Sequence, residues 1–85
     1  MELTVYGPLR SVTGEKTVPL AFEGGTVADA IEAFVDAYPR ARPQLYDGEA
    51  LRPSVRVALE GERVDLEADC PADASLALFP AVQGG

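Results

Sequence analysis

Apolar and polar residues alternate at the start of the chain: Leu3 and Val5 fall to one side of an extended backbone, Thr4 and Tyr6 to the other. A period of two marks a strand buried on one face, so residues 2–6 predict the first strand. Gly7-Pro8 ends its regular run, and Ser11 to Glu15, with Gly14, predict a turn. Residues 16–22 predict a second strand, with Val18, Leu20 and Phe22 on one face. Pro19 inside it has no N–H to offer a neighbour, which points to a sheet edge or a bulge. The two strands make a hairpin.

After Glu23-Gly24-Gly25 the period changes. Thr26 reads as a helix N-cap, because its hydroxyl can accept one of the unpaired N–H groups of a first turn. Asp29 then lies near the positive end of the helix dipole. Val27, Ala30, Ile31, Phe34, Val35 and Tyr38 recur at helical spacing and form one apolar stripe, while Asp29, Glu32 and Asp36 take the wet side. Pro39 stops the helix. Residues 39–53 contain Pro39, Pro43 and Pro53 and predict irregular chain, with a short helical turn around Arg42–Tyr46 and a turn at Asp47-Gly48. Residues 54–59 predict a third strand with Val55, Val57 and Leu59 in phase. Glu60-Gly61 is a tight turn, and Arg63–Leu66 a short return strand. Residues 67–74 read as a polar loop. The last strand is predicted over 75–80, with Leu76 and Leu78 on one face and Ala77 and Phe79 on the other.

Strand, strand, helix, strand, short strand, strand is the β-grasp order. The expected fold is α+β: a mixed sheet of four to five strands, first and last parallel in the middle, with one main helix crossing one face and the other face open. Residues 1–80 form that domain, and 81–85 a flexible C-terminal tail ending in Gly84-Gly85.

The 85 residues make one domain, which buries only ~60–65% of the surface its unfolded chain exposes and has little room for a deep active site. One cysteine and no histidine exclude an internal disulfide, a histidine-based triad, a four-thiolate iron–sulfur cluster and a stapling metal site. A net charge of −7 repels phosphate backbones and acidic membranes, so neither nucleic acid nor a membrane surface is an expected partner. No apolar run approaches the ~20 residues that span a bilayer. Met1-Glu2-Leu3-Thr4 lacks the layout of a signal peptide. With a single cysteine suited to a reducing compartment, the expectation is a cytoplasmic protein. Six arginines and one lysine, Lys16, against 14 acidic residues suit a salt-rich, halophilic cytoplasm.

The chemistry concentrates at the end. Phe79-Pro80-Ala81-Val82-Gln83-Gly84-Gly85 closes the chain a few residues past the last strand. Two residues without Cβ let an extended end enter a narrow site, and Pro80 lacks the N–H that would continue strand pairing. A main-chain carboxylate is a poor electrophile, so a partner would have to activate it, for example as an acyl-adenylate made with ATP.

On these residues the chain resembles the MoaD/ThiS family of sulfur carriers. It looks most like the small subunit of molybdopterin synthase and the related archaeal ubiquitin-like small modifier proteins. The resemblance rests on Leu9-Arg10 followed by Gly14, on Thr26-Val27 opening the helix, and on Leu76-Ala77-Leu78-Phe79-Pro80 before Gly84-Gly85. Ala81 stands where the family commonly has a second proline, Gln83 where it has a small hydroxyl residue, and Ser11 where it often has an acid. The resemblance implies that an E1-like activating enzyme adenylates Gly85 with ATP. A thiocarboxylate for molybdopterin synthesis or tRNA thiolation then follows, or an isopeptide bond to a target protein lysine. The carrier itself would be no enzyme and would hold no cofactor or metal, although it could serve as the small subunit beside the large subunit of molybdopterin synthase.

Tyr6 and Phe79 are out of phase with the core positions of their strands and are expected on the open sheet face, as a docking patch for such partners or as edge-of-core packing. The resemblance adds Leu59, Pro80 and Arg10 to the partner surface. Lys16 is the only side-chain amine, so self-modification would go through Lys16 or the Met1 amine. Cys70 reads as a bystander thiol, and the acids at 60, 62, 65, 67 and 69 as a solvated face. The alternative function is a β-grasp interaction module with an inert tail.

Overall fold

The structure, a computed structural model, describes residues 1–80. Strand β1 (Glu2–Val5) buries Leu3 and Val5 completely and leaves Thr4 partly exposed, as its alternation requires. The segment expected as a turn folds instead into a short helix, α1 (Leu9–Thr13), pinned by the fully buried Leu9. Gly14 ends it at φ +80°, donating its N–H to the Arg10 carbonyl at 2.8 Å. This left-handed cap is one that a residue without Cβ adopts at no steric cost. Strand β2 (Thr17–Pro19) returns antiparallel to β1 at the edge of the sheet, where Pro19 needs no donor.

A two-residue strand, β3 (Gly25–Thr26), leads into helix α2 (Val27–Ala37). The cap forms as the sequence predicts. Asp29 N–H donates to Thr26 Oγ1 at 3.1 Å, and Thr26 N–H donates to the Asp29 carboxylate at 3.0 Å, closing a capping box. The next two free N–H groups, of Val27 and Ala28, donate to the carbonyls of Ala68 and Leu66, each at 2.9 Å. Val27, Ala30, Ile31, Phe34 and Val35 are buried along one stripe. Pro39 opens a 3-10 turn (Pro39–Ala41), followed by α3 (Arg42–Leu45).

The proline-rich stretch also holds a small hairpin, β4 (Tyr46–Asp47) with β5 (Ala50–Leu51). Strand β6 (Arg56–Leu59) and β7 (Glu62–Arg63) are joined by Glu60-Gly61, both at positive φ, 51° and 84°. That matches the right-handed twist of a two-residue hairpin. Glu60, which bears the side-chain cost of that conformation, is held by Ser75: Glu60 N–H donates to the Ser75 carbonyl, and Ser75 N–H to the Glu60 carboxylate. Residues 67–74 are more ordered than expected, because β8 (Asp69–Cys70) pairs with β3. Strand β9 (Ser75–Phe79) completes the main sheet.

The sheet order is β2-β1-β9-β6-β7, with β1 and β9 parallel and central and the other pairs antiparallel. This is the mixed β-grasp sheet. Leu3, Val5, Val18, Val57, Leu76 and Leu78 bury one face of it in a core shared with Ile31 and Phe34 of α2 and Leu9 of α1. Its other face is left with Thr4, Ala77 and Phe79, each only partly buried. No helix among the described residues is long and apolar enough to cross a membrane.

Candidate functional site

Because β1 and β9 run parallel with Val5 beside Leu78, the residues that follow them emerge together. Tyr6 N–H donates to the Leu78 carbonyl at 3.2 Å, which holds Tyr6 level with Phe79. The alternation then points both rings away from the helix. They stack with centroids 4.4 Å apart and planes 11° from parallel. Val5 N–H binds the Lys16 carbonyl at 2.8 Å, and the Lys16 Nζ sits 5.4 Å from the Tyr6 centroid, within cation–π range. On the other flank, Arg56 of β6 lies directly across from Phe79.

One register step further, Thr17, Thr4, Ala77, Ala58 and Arg63 run across the strands. Thr4 and Thr17 share a hydroxyl–hydroxyl hydrogen bond of 3.3 Å. The open face is thus a shallow floor of small residues beside a raised aromatic pair, with Lys16, Arg56 and Arg63 against Glu2. Lys16 and Arg56 thus flank the aromatic pair in a chain of net charge −7, while Glu2 and Glu60 lie toward the other end of the same strands, beside Ser75. Pro80, buried, is the last described residue, and the chain leaves the sheet beside Phe79. Gln83, Gly84 and Gly85 lie outside the described residues, as does the expected flexible tail 81–85.

The remaining sequence candidates are distributed differently. Arg10 is exposed on α1 and close in sequence to Tyr6. Leu59 pairs with Leu76, so it shares the helix-covered face and is half-buried against the core. It sits three residues along β9 from Phe79, about 10 Å at strand rise, and on the opposite side of the sheet. The structure therefore brings together Tyr6, Phe79, Pro80 and Lys16 and leaves Leu59 apart. Arg56 and the small-residue floor were missed by sequence reasoning. Strand phase alone does not say which residue faces Phe79; the β6–β9 register does.

Away from the tail, Ala28, Ile31, Tyr46, Leu51 and Leu66 line a groove of about 350 Å³ between α2 and the β4–β5 hairpin. Burial, reinforced by a hydrogen bond with Glu32, pushes the Tyr46 phenol up to about 12. Arg42 lies 5.0 Å over its ring and 3.3 Å from the Glu32 carboxylate. Cys70 is 1% exposed, and burial pushes its thiol up, so little of it is the reactive thiolate. Among the described residues no three His, Cys, Asp or Glu side chains are grouped to hold a metal. None of these features is a nucleophile paired with a base.

The comparisons with known proteins bear on the fold and the family. A family model described as the ThiS family matches residues 3–85. The small archaeal modifier protein SAMP1 of Haloferax volcanii superposes with a TM-score of 0.87 at 33% identity, over 100% of this chain and 98% of that one. A chain of the Amycolatopsis orientalis BexX/CysO complex gives 0.80 at 29% identity, over 99% and 98%. A putative molybdopterin converting factor subunit 1 from Pyrococcus furiosus gives 0.68 at 22% identity, over 95% of each, and shows the shared fold. No curated protein matches. With the family model covering nearly the whole length and the fold shared throughout, the chain belongs to the ThiS family, as a ubiquitin-like protein of the sulfur-carrier and small-modifier kind.

Proposed function

We propose that this chain carries an activated acyl group on the Gly85 carboxylate and presents it to partners that dock on the open sheet face. The observation that carries the reading is the place where the chain leaves the sheet: Pro80 follows a stacked Tyr6–Phe79 pair on the uncovered face, with Gly84-Gly85 five residues beyond at most. An exposed aromatic pair beside a flat floor of small residues is the kind of surface that a partner buries as its central anchor. The Lys16, Arg56 and Arg63 charges around it fit a partner whose rim is acidic.

The chemistry follows from the carboxylate. An E1-like enzyme would transfer AMP from ATP to a Gly85 oxygen, releasing pyrophosphate. Hydrosulfide displacing AMP would leave a thiocarboxylate, usable in molybdopterin synthesis with a large synthase subunit or in tRNA thiolation. An amine of a target lysine displacing AMP would leave an isopeptide bond. The carrier's own contribution is position, since its described residues supply no general acid or base at the tail.

The test is removal of Gly85. The truncated chain should keep its circular dichroism and unfolding midpoint but lose ATP–pyrophosphate exchange with the activating enzyme. In native cells, the full chain should show the mass gain of sulfur replacing oxygen, or branches on target lysines. Undiminished exchange by the truncated chain would sink the proposal in favour of an interaction module with an inert tail.

A further inference from the structure

The groove of about 350 Å³ between α2 and the β4–β5 hairpin lies on the helix side of the sheet, away from Tyr6 and Phe79. That volume is near the ~300 Å³ lower end of ligand sites, room for side chains rather than for a large cofactor. Ile31 and Tyr46, both buried, form its floor. Ala28, Leu51 and Leu66 flank them and are only partly buried, so apolar surface is left facing water. Glu32 and Glu49 are exposed at the rim.

The two walls carry one sign of charge. Helix α2 brings Asp29, Glu32 and Asp36, residues 46–51 bring Asp47 and Glu49, and neither wall has a basic residue. Arg42 of α3 lies over the Tyr46 ring and donates to the Glu32 carboxylate at 3.3 Å. Glu49, on the opposite wall, has no ion-pair partner among the described residues. An apolar floor beside a bare carboxylate is complementary to an occupant that combines an aliphatic group with a cation.

We propose that this groove is a second docking surface, which takes a peptide segment of a partner protein through one aliphatic side chain flanked by lysine or arginine. The aliphatic side chain rests on Ile31 between Leu51 and Leu66. The flanking cation meets Glu49, because Glu32 is already shared with Arg42. A small apolar molecule would leave the rim carboxylates without a counter-charge, whereas a basic peptide supplies one and covers the floor at once. The proposal goes beyond the tail chemistry and stands without it. Because the groove and the aromatic pair lie on opposite sides of the sheet, a protein seated in the groove leaves Tyr6, Phe79 and Pro80 clear. The two surfaces also differ in sign: Lys16 and Arg56 flank the rings, and carboxylates rim the groove. A partner suited to one is thereby disfavoured at the other.

The test is nuclear magnetic resonance on the full chain, titrated with a synthetic peptide that holds one leucine between two pairs of lysines. Saturable shifts are expected at the backbone amides of Ala28, Ile31, Glu32, Glu49 and Leu51, with none at Tyr6 or Phe79. Replacing the peptide's leucine with serine should weaken binding at least about tenfold. Glu49→Lys sits on an exposed hairpin residue and leaves the core untouched; it should weaken binding about tenfold as well. Ala28→Phe should fill the groove and block it. Glu15→Lys makes the same charge change beside β2, at the opposite edge of the sheet, and should bind as the parent chain does. Shifts that never saturate, or that centre on Tyr6 and Phe79, overturn the proposal. So does a serine peptide bound as tightly as the leucine one. Equal weakening by Glu15→Lys and Glu49→Lys overturns it too, since net charge alone would then attract the peptide.

Discussion

Replacing Phe79 with alanine separates what the aromatic pair does for the fold from what it does for recognition. Truncating a fully buried phenylalanine costs about 3–5 kcal/mol. Phe79 is only partly buried, so about half of that, ~2 kcal/mol, is the expected loss in stability. A domain of this length holds roughly 4–13 kcal/mol in total, so the variant still folds. Tyr6→Ala should cost a similar amount. The double variant should lose less than the sum of the two, by the ~0.5–1.5 kcal/mol that a stacked pair adds beyond area burial, since the rings lie at 4.4 Å and nearly parallel. Urea unfolding followed by circular dichroism measures all three values, and their difference gives the coupling. If the pair also anchors the activating enzyme, each single variant should lower kcat/KM for ATP–pyrophosphate exchange by roughly 30-fold, equivalent to about 2 kcal/mol. Two well-folded variants that are activated as fast as the parent chain would refute the docking role and leave the rings as a piece of packing.

Three further outcomes follow from the geometry. Thr26→Ala removes the hydroxyl that caps α2 and should cost about 1 kcal/mol, a fall of ~4–8 °C in the thermal midpoint. Gly25→Ala should match or exceed it, because an added Cβ would meet the Asp29 carboxylate at 2.6 Å and push it out of the box. The Tyr46 phenol is raised from 10.0 to about 12 in the folded chain, so the unfolded chain loses that proton first. Stability carried by the neutral phenol is complete below pH 10 and drains away as pH rises toward 12; Tyr46→Phe should flatten that part of the profile in near-ultraviolet titration and thermal melts. Finally, at −7 overall the folded chain repels itself, and 1 M salt shortens the screening length to ~3 Å; the thermal midpoint should rise with salt, and a flat or falling response would remove the halophilic reading.

Helix α2 was legible in the sequence because three signals coincide there: the Thr26 cap, an apolar stripe at a single period, and the Pro39 stop. The central pairing of β1 with β9 followed from element order alone, since no local pattern announces a partner more than seventy residues away. Short elements were harder. Helix α1 has one fully buried anchor, Leu9, too few residues to display a period, and its left-handed Gly14 cap looks the same in sequence as a turn glycine. Strand β8 exists because Cys70 meets Gly25, a contact that no window around Cys70 contains. Leu59 is in phase with Val55 and Val57, and only its register against Leu76 says that this phase is the core one. What the sequence shows poorly, in each case, is a relation between distant segments.

The two faces of the sheet divide the work of the molecule. One main helix supplies one apolar stripe, enough to cover one face of a five-stranded sheet, and the side chains on the two faces differ accordingly. Leu3, Val5, Leu76 and Leu78 point inward and are fixed by packing, so changes there act first on stability. Thr4, Ala58 and Ala77 point outward and are small, which keeps the uncovered face flat without adding a large exposed apolar area. Against that floor the Tyr6–Phe79 stack is the one large aromatic feature on the outward side, and it stands where β9 ends. A tail that emerged at the sheet edge, or from the helix side, would have to be recognised apart from the fold. Continuing from the end of β9, the middle strand of the five, Pro80 lies beside a surface that the sheet itself holds rigid. Substitutions on the two faces should therefore sort by readout: inward ones move the unfolding midpoint and lower activity in proportion to the folded fraction, while outward ones lower activation by more than their loss of folded fraction accounts for.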